Sequence, residues 1–87
     1  MKVWIKVFAD TRMLASETIE NEKEDTRTHK IFESLEEACY KLDLGKPIWL
    51  QSNVNEFQKR AKTRFYQDNF MEEIEFDYLE LEVLEED

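Results

Sequence analysis

The sequence contains very little glycine, proline or cysteine. Its 87 residues include one of each, namely Gly45, Pro47 and Cys39. A single glycine excludes the glycine-rich loops that bind phosphates or dinucleotides, and it argues against collagen-like and low-complexity chains. A single cysteine cannot form an intramolecular disulfide, so nothing indicates an oxidising compartment. No apolar run approaches the roughly 18 residues that a transmembrane helix needs.

The length suits one domain with one modest core, because domains usually hold about 50 to 250 residues. We therefore expect residues 1–87 to form a single small domain. The apolar stretch at the start is too short for a signal peptide, and Lys6 interrupts it. These features predict a cytoplasmic protein, and no cofactor-binding motif accompanies them.

Charge is abundant and unevenly distributed. The formal net charge is −9. Residues 1–67 hold 11 acids and 12 Lys or Arg, whereas residues 68–87 hold 10 acids and no base. An excess of negative charge repels nucleic-acid phosphates and anionic membrane surfaces, and it favours solubility. We therefore expect no membrane partner, and we rank nucleic acid below protein as a partner.

Hydrophobic periodicity predicts strands at the start of the chain and a helix after them. Residues 3–8 alternate as a strand, and residues 13–19 form a weaker second strand beyond a turn. Residues 20–27 are polar throughout and are expected to form a loop. We expect Thr28 to cap the next helix and Gly45 to end it. The helix carries one apolar stripe: Ile31, Phe32, Leu35, Ala38, Cys39 and Leu42.

The second half of the chain predicts another helix and a final strand. Ser52 or Asn53 can cap the helix, and residues 64–66 are a short extended piece. Residues 74–83 alternate as a strand whose phase shifts between Tyr78 and Leu79, as at a β-bulge. We interpret its many acids as a solvated sheet edge that resists aggregation.

This order of elements predicts an α+β fold, with a single layer of three to four mostly antiparallel strands and two helices packed on one face. The opposite face carries Trp4 and Phe8 beside lysines, and it is a candidate docking surface if those aromatic residues are exposed. The expected core consists of Val3, Ile5, Val7, Phe32, Leu35, Cys39, Leu42, Trp49, Phe57 and Phe76.

Catalytic chemistry has little support in the sequence. Cys39 and His29 are the only Cys and His, and on one helix they are about 15 Å apart, too far for a dyad. His29 and Glu33 could both touch one metal ion, but no second His or Cys joins them. We predict no catalytic residue and no metal ligand. A small metal-dependent or acid–base enzyme is the third hypothesis, ranked after a protein-binding module and a nucleic-acid-binding regulator.

A basic segment, residues 59–64, combines cations with aromatic neighbours. Such a pattern can bind phosphates and stack bases. The same cations could instead pair with the acidic segment, residues 68–87, of this chain or of a second copy. We favour the pairing interpretation because of the net charge. The candidate binding residues are Lys59, Arg60, Lys62, Arg64 and Tyr66.

Several stretches of the chain carry a resemblance. They are residues 47–50 through Phe57, residues 62–65, residues 67–68 and residues 76–80, with a further likeness at residues 28–30 and 35–37. Together they resemble a family of small bacterial proteins to which no function is assigned. The resemblance implies a bacterial, cytosolic protein, and it implies no activity, cofactor or site residue.

These observations predict a non-enzymatic interaction module whose partner is a protein, a second copy of itself included. Its recognition surface would be the basic segment, the acidic segment or both, so raising the salt concentration should weaken the complex. The alternative is a small RNA- or DNA-binding regulator that uses Arg60, Lys62, Arg64 and Tyr66.

Overall fold

The computed structural model, which describes residues 1–87, contains one sheet of four antiparallel strands in the order β2-β1-β4-β3. Two helices pack on one face of this sheet, so the predicted α+β fold is confirmed. The elements are β1 (Lys2–Ala9), β2 (Arg12–Glu20), α1 (Arg27–Lys41), α2 (Gln51–Arg60), β3 (Lys62–Phe65), a 3₁₀ turn (Gln67–Asn69) and β4 (Tyr78–Glu85).

The hairpin between β1 and β2 turns at Asp10 and Thr11. Both residues have positive φ, 52° and 64°, as in the two-residue turns whose twist suits antiparallel strands. The N–H of Asp10 donates to Asp77 Oδ2 at 2.8 Å, which ties the turn to the segment before β4. The register shifts between Val7 and Phe8, where β2 contains a bulge.

The helix boundaries differ from those predicted. Thr26, not Thr28, caps α1, and its Oγ1 accepts a hydrogen bond from the His29 N–H at 3.2 Å. The left-handed residue beyond α1 is Asp43, with φ of 58°, rather than Gly45. An aspartate tolerates this conformation better than most residues, so the chain turns before it reaches the glycine.

The start of α2 also differs, because Leu50 occupies the N-cap position in place of Ser52 or Asn53. Asn53 lies in the first turn of the helix, and its Oδ1 accepts a hydrogen bond from the Leu50 N–H at 3.1 Å. The side chain thus supports the helix start from within the first turn.

The core lies between the helices and one face of the sheet. Phe32, which was expected in the core, is 48% exposed because it lies at the margin of the α1 stripe. Its ring contacts Trp49. Leu42, Trp49 and Phe76 are half-buried and pack against the core. The buried apolar residues are Met1, Val3, Ile5, Val7, Ile19, Ile31, Leu35, Ala38, Cys39, Phe57, Phe65, Phe70, Leu79 and Leu81.

The final strand begins later than predicted and occupies the sheet interior. Residues 74–77 lie outside it, because Gln67 fixes the chain there: its Nε2 donates to the Glu72 carbonyl at 2.8 Å, and its Oε1 accepts from the Ile74 N–H at 2.9 Å. β4 lies between β1 and β3, so the interpretation of its acids as a sheet edge is wrong. No helix in the structure is both long enough and apolar enough to cross a bilayer.

Candidate functional site

The basic segment runs from the last turn of α2 into β3. Lys59 and Arg60 end the helix, and Ala61 takes a left-handed conformation, φ 56°, with its N–H donating to the Phe57 carbonyl at 2.8 Å. The chain therefore reverses sharply and enters β3 directly. Strand alternation then points Thr63 into the core and its two basic neighbours to the opposite face.

We call that opposite face, which neither helix covers, the open face. Arg60, Lys62, Arg64 and Tyr66 line a cleft of about 210 Å³ at the β3 edge of the sheet, beside α2. The structure thus brings four of the five candidate residues together, and Lys59 lies outside the cleft. Three more residues complete the lining, two of them acids: Glu56, Thr63 and Glu80.

Arg64 is already paired within the chain. Its Nε donates to Glu80 Oε2 at 2.8 Å, and its guanidinium lies 4.4 Å from the centre of the Tyr78 ring. The hydrogen bond to Glu80 raises the pKa of Arg64 above its ordinary value. The predicted pairing between the basic segment and the acidic strand therefore exists at this residue.

The other three cations of the basic segment form no ion pair with any carboxylate of the chain. Lys62 lies opposite Glu82 in the β3–β4 register, yet no salt bridge joins them. Lys59 and Arg60 are exposed at the end of α2. The segment therefore keeps free positive charge beside a neutralised arginine.

A charged network is buried at the centre of the open face. Lys6 and Glu80 are each only 6% exposed, and the Lys6 ammonium lies 2.7 Å from Glu80 and 2.8 Å from Glu82. It also lies 4.0 Å from the centre of the Trp4 ring. Arg64 binds the other carboxylate oxygen of Glu80. The positive charges of Lys6 and Arg64 therefore balance the negative charges of Glu80 and Glu82.

This network shifts the pKa values of its members. Burial alone would raise the pKa of Glu80, but hydrogen bonds from Lys6 and Arg64 outweigh it and lower the pKa below the ordinary value. Burial alone would lower the pKa of Lys6, and its bonds to Glu80 and Glu82 reverse that effect. Both groups are thus held in their charged forms at neutral pH.

Three aromatic rings, those of Phe8, Tyr78 and Tyr66, form a row beside the network. Phe8 stacks on Tyr78 at 5.1 Å between ring centres, and Tyr66 lies 5.6 Å from Tyr78 on the other side. Trp4, Phe8 and Tyr78 are half-buried, whereas Tyr66 is 49% exposed. The row and the cleft share Tyr66, so together they form one continuous surface.

The acidic segment is not one surface. Its last acids are paired: Glu80 and Glu82 with Lys6, Glu85 with Lys2, Glu86 with Arg27, and Asp87 with Lys30 and the terminal ammonium. The acids without an ion pair are those before β4: Asp68, Glu72, Glu73, Glu75 and Asp77. The free negative charge of this segment is therefore confined to residues 68–77.

The residues considered for catalysis are dispersed. Cys39 is buried in the core, and burial raises the pKa of its thiol to about 11. His29 is exposed, and its Nδ1 lies 2.9 Å from Asp25 Oδ1. Glu33 instead contacts Lys23 and Asn21. No three His, Cys, Asp or Glu side chains of the chain converge as a metal-binding group.

Sequence reasoning missed the part of the site that lies outside the basic segment. The signal was in the strand alternation, which places Lys6 between Trp4 and Phe8 on one face, but a lysine in such a pattern is normally solvated. Only the β1–β4 register, which sets Lys6 opposite Glu80, reveals the buried pair. That register could not be read from either strand alone.

Comparison of the chain with protein-family models, with curated proteins and with solved structures gives no match.

Proposed function

We propose that the protein is a non-enzymatic, cytoplasmic interaction module that binds a partner protein through the open face and the adjoining cleft. The observation that carries the proposal is the aromatic row on a sheet face that no helix covers. Tyrosine, tryptophan, phenylalanine and arginine are the residue types enriched where proteins bind one another. Trp4, Phe8, Arg64, Tyr66 and Tyr78 supply these types on one surface.

The charges beside the row favour a partner with carboxylates. Arg60 and Lys62 have no ion pair in the chain and lie next to Tyr66 in the cleft. A partner that places an apolar or aromatic side chain on the row, with Asp or Glu beside it, would match both the aromatic rings and the unpaired cations. Because Arg60 is exposed, its contribution should show as faster association and as sensitivity to salt.

The second candidate function is binding of single-stranded nucleic acid. The observation in its favour is the cleft itself, which combines cations with the exposed ring of Tyr66. Two features count against it. Glu56 and Glu80 also line the cleft, and Glu80 already neutralises Arg64. The net charge of −9 repels a phosphate backbone at longer range.

A capture experiment with matched variants tests the proposal. The immobilised protein captures its partner from a lysate of the source organism, with and without nuclease, and the purified partner is then titrated against variants. We expect Tyr66→Ser combined with Lys62→Glu to weaken binding at least about tenfold, as loss of a binding hot spot does.

The control combines Tyr40→Ser with Lys41→Glu, which makes the same changes on α1, where Tyr40 is 85% exposed. Equal loss of binding in the control and test variants would contradict the proposed surface. Recovery of nucleic acid only without nuclease, with binding lost in the Tyr66 and Lys62 variant, would establish the second candidate instead.

A further inference from the structure

The two edge strands of the sheet differ in whether their outward backbone N–H and C=O groups have hydrogen-bond partners. β3 is closed by α2, because Glu56 Oε1 accepts from the Arg64 N–H at 3.2 Å and Asn53 Nδ2 donates to the Arg64 carbonyl at 2.8 Å. β2, the other edge strand, receives no hydrogen bond from any side chain or from any backbone group other than those of β1. β2 is therefore the one edge open to another strand.

The direction of the free groups on β2 follows from the hairpin register. Met1 and Asn21 exchange two hydrogen bonds, of 2.8 and 3.1 Å. Along an antiparallel ladder, hydrogen-bonded pairs alternate with non-hydrogen-bonded pairs. Because the Met1–Asn21 pair is hydrogen-bonded, Ile19 and every second residue before it also point their N–H and C=O groups toward β1. The N–H and C=O groups of Ser16, Thr18 and Glu20 consequently point outward.

A carboxylate without a partner lies beside this open backbone. Glu17 pairs in register with Ile5 and thus lies on the helix side of the sheet, where it is half-buried. It forms no salt bridge and no side-chain hydrogen bond with any residue of the chain. A partly desolvated carboxylate of this kind gains most from a cation that arrives together with the covering strand.

The same features oppose pairing with a second copy. Two β2 strands related by a two-fold axis near Ser16 would place both Glu17 carboxylates at diagonal positions, with no cation between them. Each copy also carries a net charge of −9. The bulge in β2 and an inward-pointing charge are devices by which edge strands avoid self-association.

We propose that the β2 edge binds an extended, cationic segment of another protein as a fifth strand of the sheet. The outward groups of Ser16, Thr18 and Glu20 hold its backbone, and a Lys or Arg opposite Glu17 supplies the missing cation. This strand addition is a known mode of peptide recognition, in which the backbone gives affinity and side chains give specificity. The site lies at the sheet edge opposite the cleft and does not depend on the binding surface formed by the aromatic row and the cleft.

The test uses a capped synthetic peptide, Thr-Val-Lys-Thr-Lys-Val-Thr, titrated into the intact protein at low salt. Two control peptides accompany it, one with Glu in place of both lysines and one with alternate backbone nitrogens methylated. We expect saturable binding of the lysine peptide only, with slower hydrogen exchange at the amides of Ser16, Thr18 and Glu20. Methylation should abolish binding because it removes the strand hydrogen bonds.

Protein variants identify the edge. Glu17→Gln should weaken binding about fivefold, as expected for one partly exposed ion pair, and Thr18→Pro should abolish it. Proline is tolerated on an edge whose N–H faces solvent, and circular dichroism checks that this variant folds. Glu24→Gln, the matched control in the loop after β2, should bind as the wild type does.

Four results would overturn the proposal. They are absence of saturable binding, equal binding of the methylated peptide, equal weakening by Glu24→Gln and Glu17→Gln, and a wild-type dimer in sedimentation that Thr18→Pro dissociates. The last result would assign the edge to a second copy. The variant that combines Tyr66→Ser with Lys62→Glu should still bind the peptide, so failure of this site and failure of the open-face surface are distinguishable.

Discussion

The carboxylate of Glu80 lies 2.7 Å from the ammonium of Lys6, and both side chains are buried on the face of the sheet that no helix covers. Burial of two charges costs more than their attraction returns unless further hydrogen bonds satisfy them. Arg64 and Glu82 supply those bonds. The ion pair therefore depends on a network that joins β1, β3 and β4.

Replacement of Glu80 by glutamine should destabilise the protein by about 3 kcal/mol, the low end for a broken buried pair, because Lys6 keeps Glu82. Urea unfolding followed by circular dichroism measures the change. Glu82→Gln is the matched control, and it should cost less because the Glu82 side chain is 30% exposed. Equal losses in the two variants would show that burial does not set the energy of the pair.

The same network predicts a loss of stability in acid. The folded-state pKa of Glu80 lies below its ordinary value of 4.5, so the unfolded chain binds the proton more readily. Its stabilisation is complete above about pH 5.5 and is lost as the pH falls through the lowered pKa. Hydrogen bonds from Arg27 and Lys30 lower the pKa values of Glu86 and Asp87 and act in the same direction.

Urea midpoints measured between about pH 6 and pH 3 check this expectation, since ordinary carboxyl groups titrate in that range. The wild type should lose stability steadily over the range, and Glu80→Gln should lose less because it lacks one of the linked protons. A Glu80→Gln curve parallel to that of the wild type would show that Glu80 does not contribute to the acid transition.

Much of the fold could be predicted from the sequence because the patterns are local. The alternation of Val3, Ile5 and Val7 and the apolar stripe of α1 identified their elements and buried faces directly. The errors arose where distant contacts decide. Phe32 fits the stripe but lies at its margin, and residues 74–77 alternate like a strand, yet Gln67 fixes the chain at Glu72 and Ile74 and β4 begins only at Tyr78.

The candidate site was predictable in its residues but not in its charge balance. Clustering in the sequence identified Arg60, Lys62, Arg64 and Tyr66, and the structure places these four around one cleft. Arg64 is paired with a carboxylate and Lys62 is not. This difference depends on side-chain geometry across β3 and β4. Periodicity contains no information on such geometry, since both lysine and arginine fit the outward positions of a strand.

A buried amide pair should support the same segment from below. Asn69 Nδ2 donates to Asn53 Oδ1 at 2.7 Å and to the Ile48 carbonyl at 2.8 Å, and its Oδ1 accepts from the Tyr66 N–H at 3.0 Å. Asn69→Ala leaves the Tyr66 N–H and the Ile48 carbonyl without these partners, although Asn53 Oδ1 keeps the Leu50 N–H, and it should cost about 2–3 kcal/mol. Urea unfolding measures the loss.

Asn55→Ala provides the comparison for this prediction, because Asn55 is an exposed asparagine of α2 that binds only Gln51. Its loss should change the free energy of unfolding by less than about 0.5 kcal/mol, as is usual for surface substitutions. If Asn69→Ala were equally mild, water would have to replace the lost bonds inside the protein, and the amide pair would not hold β3 in place.

The thiol of Cys39 should report opening of the core. Its side chain is buried, and burial raises its pKa to about 11, so almost no thiolate is present near pH 8. Alkylation by iodoacetamide should therefore be at least about 100-fold slower than for a free cysteine, since only the thiolate reacts. Urea should restore the ordinary rate in step with unfolding seen by circular dichroism. A fast reaction in buffer alone would mean that the structure around Cys39 opens locally without global unfolding.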